Sequence, residues 1–161
     1  MARDIDLGGL DNVFDNAARN IKEVFQQYGK DEAGVRFSRI YTEDEPNPRS
    51  HSLAIVLDNH EHQLRSWIGR QKRNFTIVMN FNIIYYHEQP ENDARKKEVQ
   101  KIIWGICQIL LKHNTLNGFC DRLGSTVTGS EYVRRQINNN IMSAGLVRVT
   151  LRKLHTVTDI D

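Results

Sequence analysis

Residues 75–86 read FTIVMNFNIIYY, and they decide the fold. Phe75, Ile77, Met79, Phe81, Ile83 and Tyr85 fall on one side of an extended chain, while Thr76, Asn80 and Asn82 fall on the other. That period of two predicts a strand with one buried face. Twelve residues at a rise of about 3.3 Å span about 40 Å, twice the usual strand. A strand of that length is expected to run beyond the core. Upstream, residues 52–58 (SLAIVLD) form a near-continuous apolar run, the pattern of a strand buried on both faces.

The segment between these strands, 59–74 (NHEHQLRSWIGRQKRN), reads as the outer part of a hairpin with Gly69 near its tip. Arg65, Arg70, Lys72 and Arg73 surround Trp67 and Ile68 there. An aromatic anchor flanked by arginines is favoured at protein interfaces. The bland alternative is that Trp67 folds back onto its own sheet.

Further out, Leu10, Val13, Phe14, Ala17, Ala18, Ile21, Val24, Phe25 and Tyr28 recur at spacings of three and four, the apolar stripe of a helix. Asp11 after Gly8-Gly9 is a candidate N-cap, and Gly29 is the expected stop. Residues 35–41 (VRFSRIY) alternate as a strand, and 42–50 (TEDEPNPRS) are an acidic, proline-containing loop. After Pro90 a second helix is predicted from Ala94, Val99, Ile102, Ile103, Ile106, Ile109 and Leu110, with Glu91 and Asp93 suiting its positive start. His113-Asn114 and Asn117-Gly118 end it. A short strand is expected at 119–123, a polar stretch with a turn at Asn138 to Asn140 follows, and 146–154 alternates as the last strand. The tail HTVTDID reads as polar and mobile. The expected fold is therefore α+β, in the order α-β-β-β-α-β-β. Both helices pack on one face of a mostly antiparallel sheet, and the hairpin projects as an arm.

A chain of 161 residues with 39% hydrophobic and 26% charged content fits a single globular domain, expected to span 1–161. Its longest apolar runs reach five residues, far from the roughly 20 of a membrane span. The opening MARDIDLGGL has acids where a signal peptide needs an apolar core, which points to the cytoplasm. Cys107 and Cys120 show no metal or disulfide spacing. Charge is uneven: residues 1–61 carry 7 Lys/Arg against 12 Asp/Glu, and residues 62–161 carry 15 against 8. Such asymmetry marks a charged-partner surface or simply two ends of one fold.

Catalytic chemistry is not apparent. No phosphate loop, dinucleotide fingerprint, nucleophile elbow or zinc-protease motif occurs. His60 and His62 share a strand face, yet zinc needs further ligands, and His51 and His87 qualify only if folding brings them close. Cys107 lies on the apolar stripe of the second helix and reads as core. The expectation is a non-enzyme with neither metal nor cofactor. A nucleic-acid-binding module is the alternative, using the basic 62–161 region: the arm cations with Arg134, Arg135, Arg148, Arg152 and Lys153.

The strand FTIVMNFNIIYY, the helix KKEVQKIIWGICQILLKH, the turn NTLNGFCDRL and the closing strand LVRVTLRKL together resemble the tail terminator (tail completion) proteins of tailed bacteriophages. The resemblance lies in element order over nearly the whole chain; the basic arm and the Asn-rich segment at 133–143 are departures from it. It implies a structural virion protein, assembled in the host cytoplasm, that forms a homo-hexameric ring on the completed tail tube. The ring stops tube polymerisation and offers a surface for the neck. Implied partners are the tube protein, the neck or head-tail connector protein, and a sheath protein if the tail is contractile, with genome DNA passing through the lumen without specific binding. A closed ring needs two different patches meeting between neighbours. Residues Arg65, Trp67, Ile68, Arg70, Lys72, Arg73, Arg134 and Arg135 are the expected interface.

Overall fold

The structure, a computed structural model, describes residues 10–34, 36–68, 72–87, 93–120, 124–137 and 140–158. Helix α1 spans Leu10–Tyr28 and is followed by a π-helical turn, Gly29–Ala33. Then come β1 (Ile40–Tyr41), β2 (Ser52–Ile68), β3 (Lys72–Tyr86), helix α2 (Asp93–Lys112), β4 (Ser125–Ile137) and β5 (Asn140–Thr158). The strands form one sheet in the order β1-β2-β3-β5-β4. All neighbours are antiparallel except β1 and β2, which run parallel. The molecule is thus α+β with a mostly antiparallel sheet.

Strand alternation builds the core. Ile77, Met79, Phe81, Ile83 and Tyr85 of β3 join Leu53 and Ile55 of β2 and Val147, Val149 and Leu151 of β5 in one buried cluster. Ala17, Ile21, Val24 and Phe25 of α1, with Val99, Ile102, Ile106 and Ile109 of α2, close the same cluster. Each buried Val, Leu, Ile, Phe or Met side chain among these contributes about 1.5–3 kcal/mol by leaving water. A smaller cluster, Ala54, Ile84, Tyr86, Met142 and Ala144, comes from the opposite strand parity and occupies the other face. Gly145 lets α2 sit close, because a Cβ there would come 2.4 Å from Ile103 Cγ1.

Several expectations are corrected. The α-helix ends at Tyr28, before Gly29 as expected, but a π turn then carries the chain to Ala33, and Gly34, at φ 71°, supplies the left-handed end. That turn is held by His113, just past the end of α2, which stacks on Tyr28 with centroids 3.6 Å apart and meets Glu32 at 3.1 Å. Among the described residues of the strand expected at 35–41, only Ile40 and Tyr41 form a strand, opposite Leu53 and Ala54, and residue 35 lies outside the described residues. Phe37 instead turns its ring to Phe25 and Tyr85.

The short strand expected at 119–123 is displaced. Residues 113–119 are turns, with Cys120 N–H donating to the Thr115 carbonyl at 2.9 Å; 121–123 lie outside the described residues. The strand is β4, within what reads as a polar stretch, because a sheet-edge strand needs few apolar residues. Ile137 pairs with Asn140, so Asn140 of the expected turn belongs to β5, and 138–139 lie outside the described residues. The final strand extends well past 146–154: Thr158 pairs with Lys72, so the tail up to that residue is sheet.

Pairing of β2 with β3 continues from Ser52–Tyr86 to Ile68–Lys72, with bulges near Asp58 and Arg65. Because β5 follows β3 over the same length, the stretch expected to be a two-stranded hairpin is three-stranded. No helix among the described residues is long and apolar enough to cross a membrane.

Candidate functional site

The expected interface residues fall into two separate groups. Arg65, Trp67 and Ile68 lie on β2, Lys72 and Arg73 on β3, with Trp67 opposite Arg73 and Ile68 opposite Lys72. Arg70 lies outside the described residues. Arg134 and Arg135 lie on β4, opposite Ser143 and Met142 of β5, whereas Arg73 is opposite Val157 of that same strand. Fourteen residues of β5 separate Ser143 from Val157, about 46 Å at a strand rise of about 3.3 Å. The fold does not bring the two groups together. Arg134 and Arg135 also point to opposite faces by alternation, and the Arg135 guanidinium donates a hydrogen bond to the Tyr86 hydroxyl.

Folding does bring His51 and His87 together, through Tyr85. Their ring centroids lie 4.8 Å apart. His51 takes a left-handed backbone (φ 59°), and its N–H donates to the Tyr86 carbonyl at 2.8 Å. His51 Nδ1 is 2.8 Å from the Tyr85 hydroxyl, which is 2.9 Å from His87 Nδ1. His87 Nε2 then meets Glu98 Oε2 at 2.9 Å. Tyr85 and His87 are buried, at 0% and 2% exposure, while the Glu98 side chain on α2 reaches solvent.

One hydroxyl proton orders this chain. The Tyr85 oxygen donates its proton to one of the two Nδ1 atoms and can accept from the other, while His87 Nε2–H donates to the Glu98 carboxylate. Both Nδ1 atoms are committed to Tyr85 and do not converge on a shared ligand position. The relay pins the sheet end to α2.

The remaining candidates are dispersed. His60 packs on Phe14 of α1 at a centroid distance of 4.5 Å, and the side chain of His62 lies outside the described residues. Burial pushes the Cys107 thiol pKa up, opposed by a hydrogen bond with Ser130, which keeps it protonated and poorly nucleophilic. Among the described residues no group of three or more His, Cys, Asp or Glu is placed to hold a metal.

Two surface features escape the sequence reading. Trp104 and Leu111 of α2 are 64% and 63% exposed, on the helix face away from the core. Trp104 borders a groove of about 360 Å³ between α2 and β4, lined also by Gln100, Ser130 and Tyr132. At the other side of the sheet, a cleft of about 510 Å³ opens between α1 and β1, floored by Phe37, Ile40 and Tyr41 and rimmed by Glu43 and Glu45. A tryptophan off the apolar stripe of a helix is the sequence signal for the first. Nothing local signals the second, because its walls come from separate elements. Compared with protein-family models and with curated proteins, the chain matches none.

Proposed function

We propose that this chain is a structural virion protein that forms a ring on a completed phage tail tube, stops tube growth and presents a joining surface to the neck. The observation that carries the reading is the length of the sheet. Strands β2, β3 and β5 are 17, 15 and 19 residues long, against the usual five or six, and they stay paired as far as Ile68–Lys72 and Lys72–Thr158. The outer stretches carry Arg65, Trp67, Ile68, Lys72 and Arg73. As a projecting arm they would contact a neighbouring subunit or the tube. Homo-hexamer number, the tube, neck and sheath partners, DNA passage and virion location all come from the resemblance in element order.

The distribution of cations favours this reading over a nucleic-acid module. Arg148 is paired with Glu131 at 2.8 Å, Lys153 lies over the Phe119 ring at 4.9 Å, and Arg135 is held by Tyr86. Cations spent on partners within the subunit are poor phosphate contacts. The test is particle morphology when the chain is withheld from assembly. Tubes of uneven length and filled heads without tails are expected; joined tails of normal length would refute the function. Salt-steep DNA binding by the purified protein would favour the nucleic-acid reading instead.

A further inference from the structure

Sheet order places two dissimilar surfaces at opposite edges. At the β4 edge, Lys97, Lys101, Trp104, Gln108 and Leu111 follow one another on α2 at spacings of four and three, a single ridge. Four of the five are exposed, and Trp104 stands out from the ridge between lysines and the β4 groove. At the β1 edge lies the cleft with an apolar floor and an acidic rim of Glu43, which is exposed, and Glu45, which is half-buried. Lys22 and Arg39 also line it, but the Arg39 guanidinium is drawn over Tyr41, 5.5 Å from the ring centroid. One surface is convex, aromatic and basic. The other is concave, with aromatic walls and carboxylates at its mouth.

We infer that Trp104 of one copy docks in the Phe37–Tyr41 cleft of the next, with Lys97 and Lys101 facing Glu43 and Glu45. The occupant is a second copy because the charges are complementary and a cleft of about 510 Å³ holds an indole with room for its neighbours. Matching patches on opposite edges give a heterologous, head-to-tail contact, the kind that builds a ring when the rotation between neighbours closes. This rests on the ring reading and adds to it the residues of the subunit contact. Tryptophan contributes as a buried anchor, and the charges set orientation.

The experiment is a concentration series by native mass spectrometry and sedimentation on the full chain and four variants. Trp104→Ala is expected to raise the assembly dissociation constant about 30-fold, the effect of losing an interface anchor. Lys101→Glu and Glu43→Lys should each raise it about fivefold, and the double variant should recover most of that loss, because the swapped pair attracts again. Unchanged thermal melts establish that each monomer is folded, as expected for exposed positions. Rings formed equally well by Trp104→Ala would overturn this contact and leave the ring reading standing. Absence of recovery in the swapped pair would overturn the assigned orientation. A wild-type chain monomeric throughout overturns self-docking, while tube capping is judged separately by particle morphology.

Discussion

Replacing Tyr85 by Phe removes one oxygen and leaves the packing of the ring unchanged, so it isolates the energy of the buried relay. The hydroxyl bridges His51 Nδ1 at 2.8 Å and His87 Nδ1 at 2.9 Å. The two bonds differ in what replaces them. His51 is half-buried and exchanges Tyr85 for water, which costs the net value of one bond, about 0.5–1.5 kcal/mol. His87 is 2% exposed, and its Nδ1 is left without a partner, which costs about 1–3 kcal/mol. The sum is about 1.5–4.5 kcal/mol. Equilibrium urea unfolding reads it directly: at about 2 kcal/mol per molar, the midpoint drops by about 1–2 M with the slope unchanged. A second variant sharpens the argument. Adding His87→Leu to Tyr85→Phe removes the orphaned nitrogen, so the double variant should be less destabilised than the two single losses added together. A Tyr85→Phe shift below about 0.5 kcal/mol, the range of an ordinary surface change, would refute the relay as a stabilising element.

Other expectations follow from the same packing. Gly145→Ala places a Cβ 2.4 Å from Ile103 Cγ1 and should destabilise by about 1–3 kcal/mol; combined with Ile103→Ala the loss should be smaller than the sum, as denaturation of the pair will read. Burial raises the Tyr86 phenol above its ordinary pKa of 10.0, so the folded state holds that proton more tightly than the unfolded one. Its contribution is complete below pH 10 and is lost as pH rises through the folded value, so Tyr86→Phe should flatten the alkaline fall in stability. An identical slope in wild type and variant above pH 10 would count against this. Cys107, buried and with its thiol raised by desolvation, should react with a disulfide reagent only after denaturation; prompt labelling of the native protein contradicts that. Trp67→Ala with Ile68→Ala should weaken ring or tail attachment and leave the fold intact, and unchanged attachment would remove the outer strands from the interface.

Legibility in the sequence tracked the strength of local pattern. The stripe of α1 and the alternation of 75–86 each reflect burial against a core and are complete in their own residues. Edge strand β4 was not legible, because Val127, Tyr132, Val133 and Ile137 alone supply apolar character and the bulge near Thr128 breaks the alternation. The outer half of β5 carries a polar sequence, HTVT, whose structure is set by pairing with β3, a contact far away in the chain. The His51–Tyr85–His87 relay depended on register: Ser52 opposite Tyr86 brings His51 beside Tyr85, which no spacing rule reveals. Register likewise separates Arg134 and Arg135 from the β2–β3 cations with which sequence grouped them. Trp104 was readable and missed, since attention to the apolar stripe hides an aromatic that falls outside it.

Head-to-tail assembly into a ring is the central claim. Native mass spectrometry of the purified full chain over a concentration series, with negative-stain images of the same samples, tests it most directly. The account predicts closed species of six copies that grow with concentration and appear as rings with an open centre. A two-fold dimer as the end point would contradict it, since matched patches on opposite edges cannot close in a pair. A monomer at every concentration would contradict it as well.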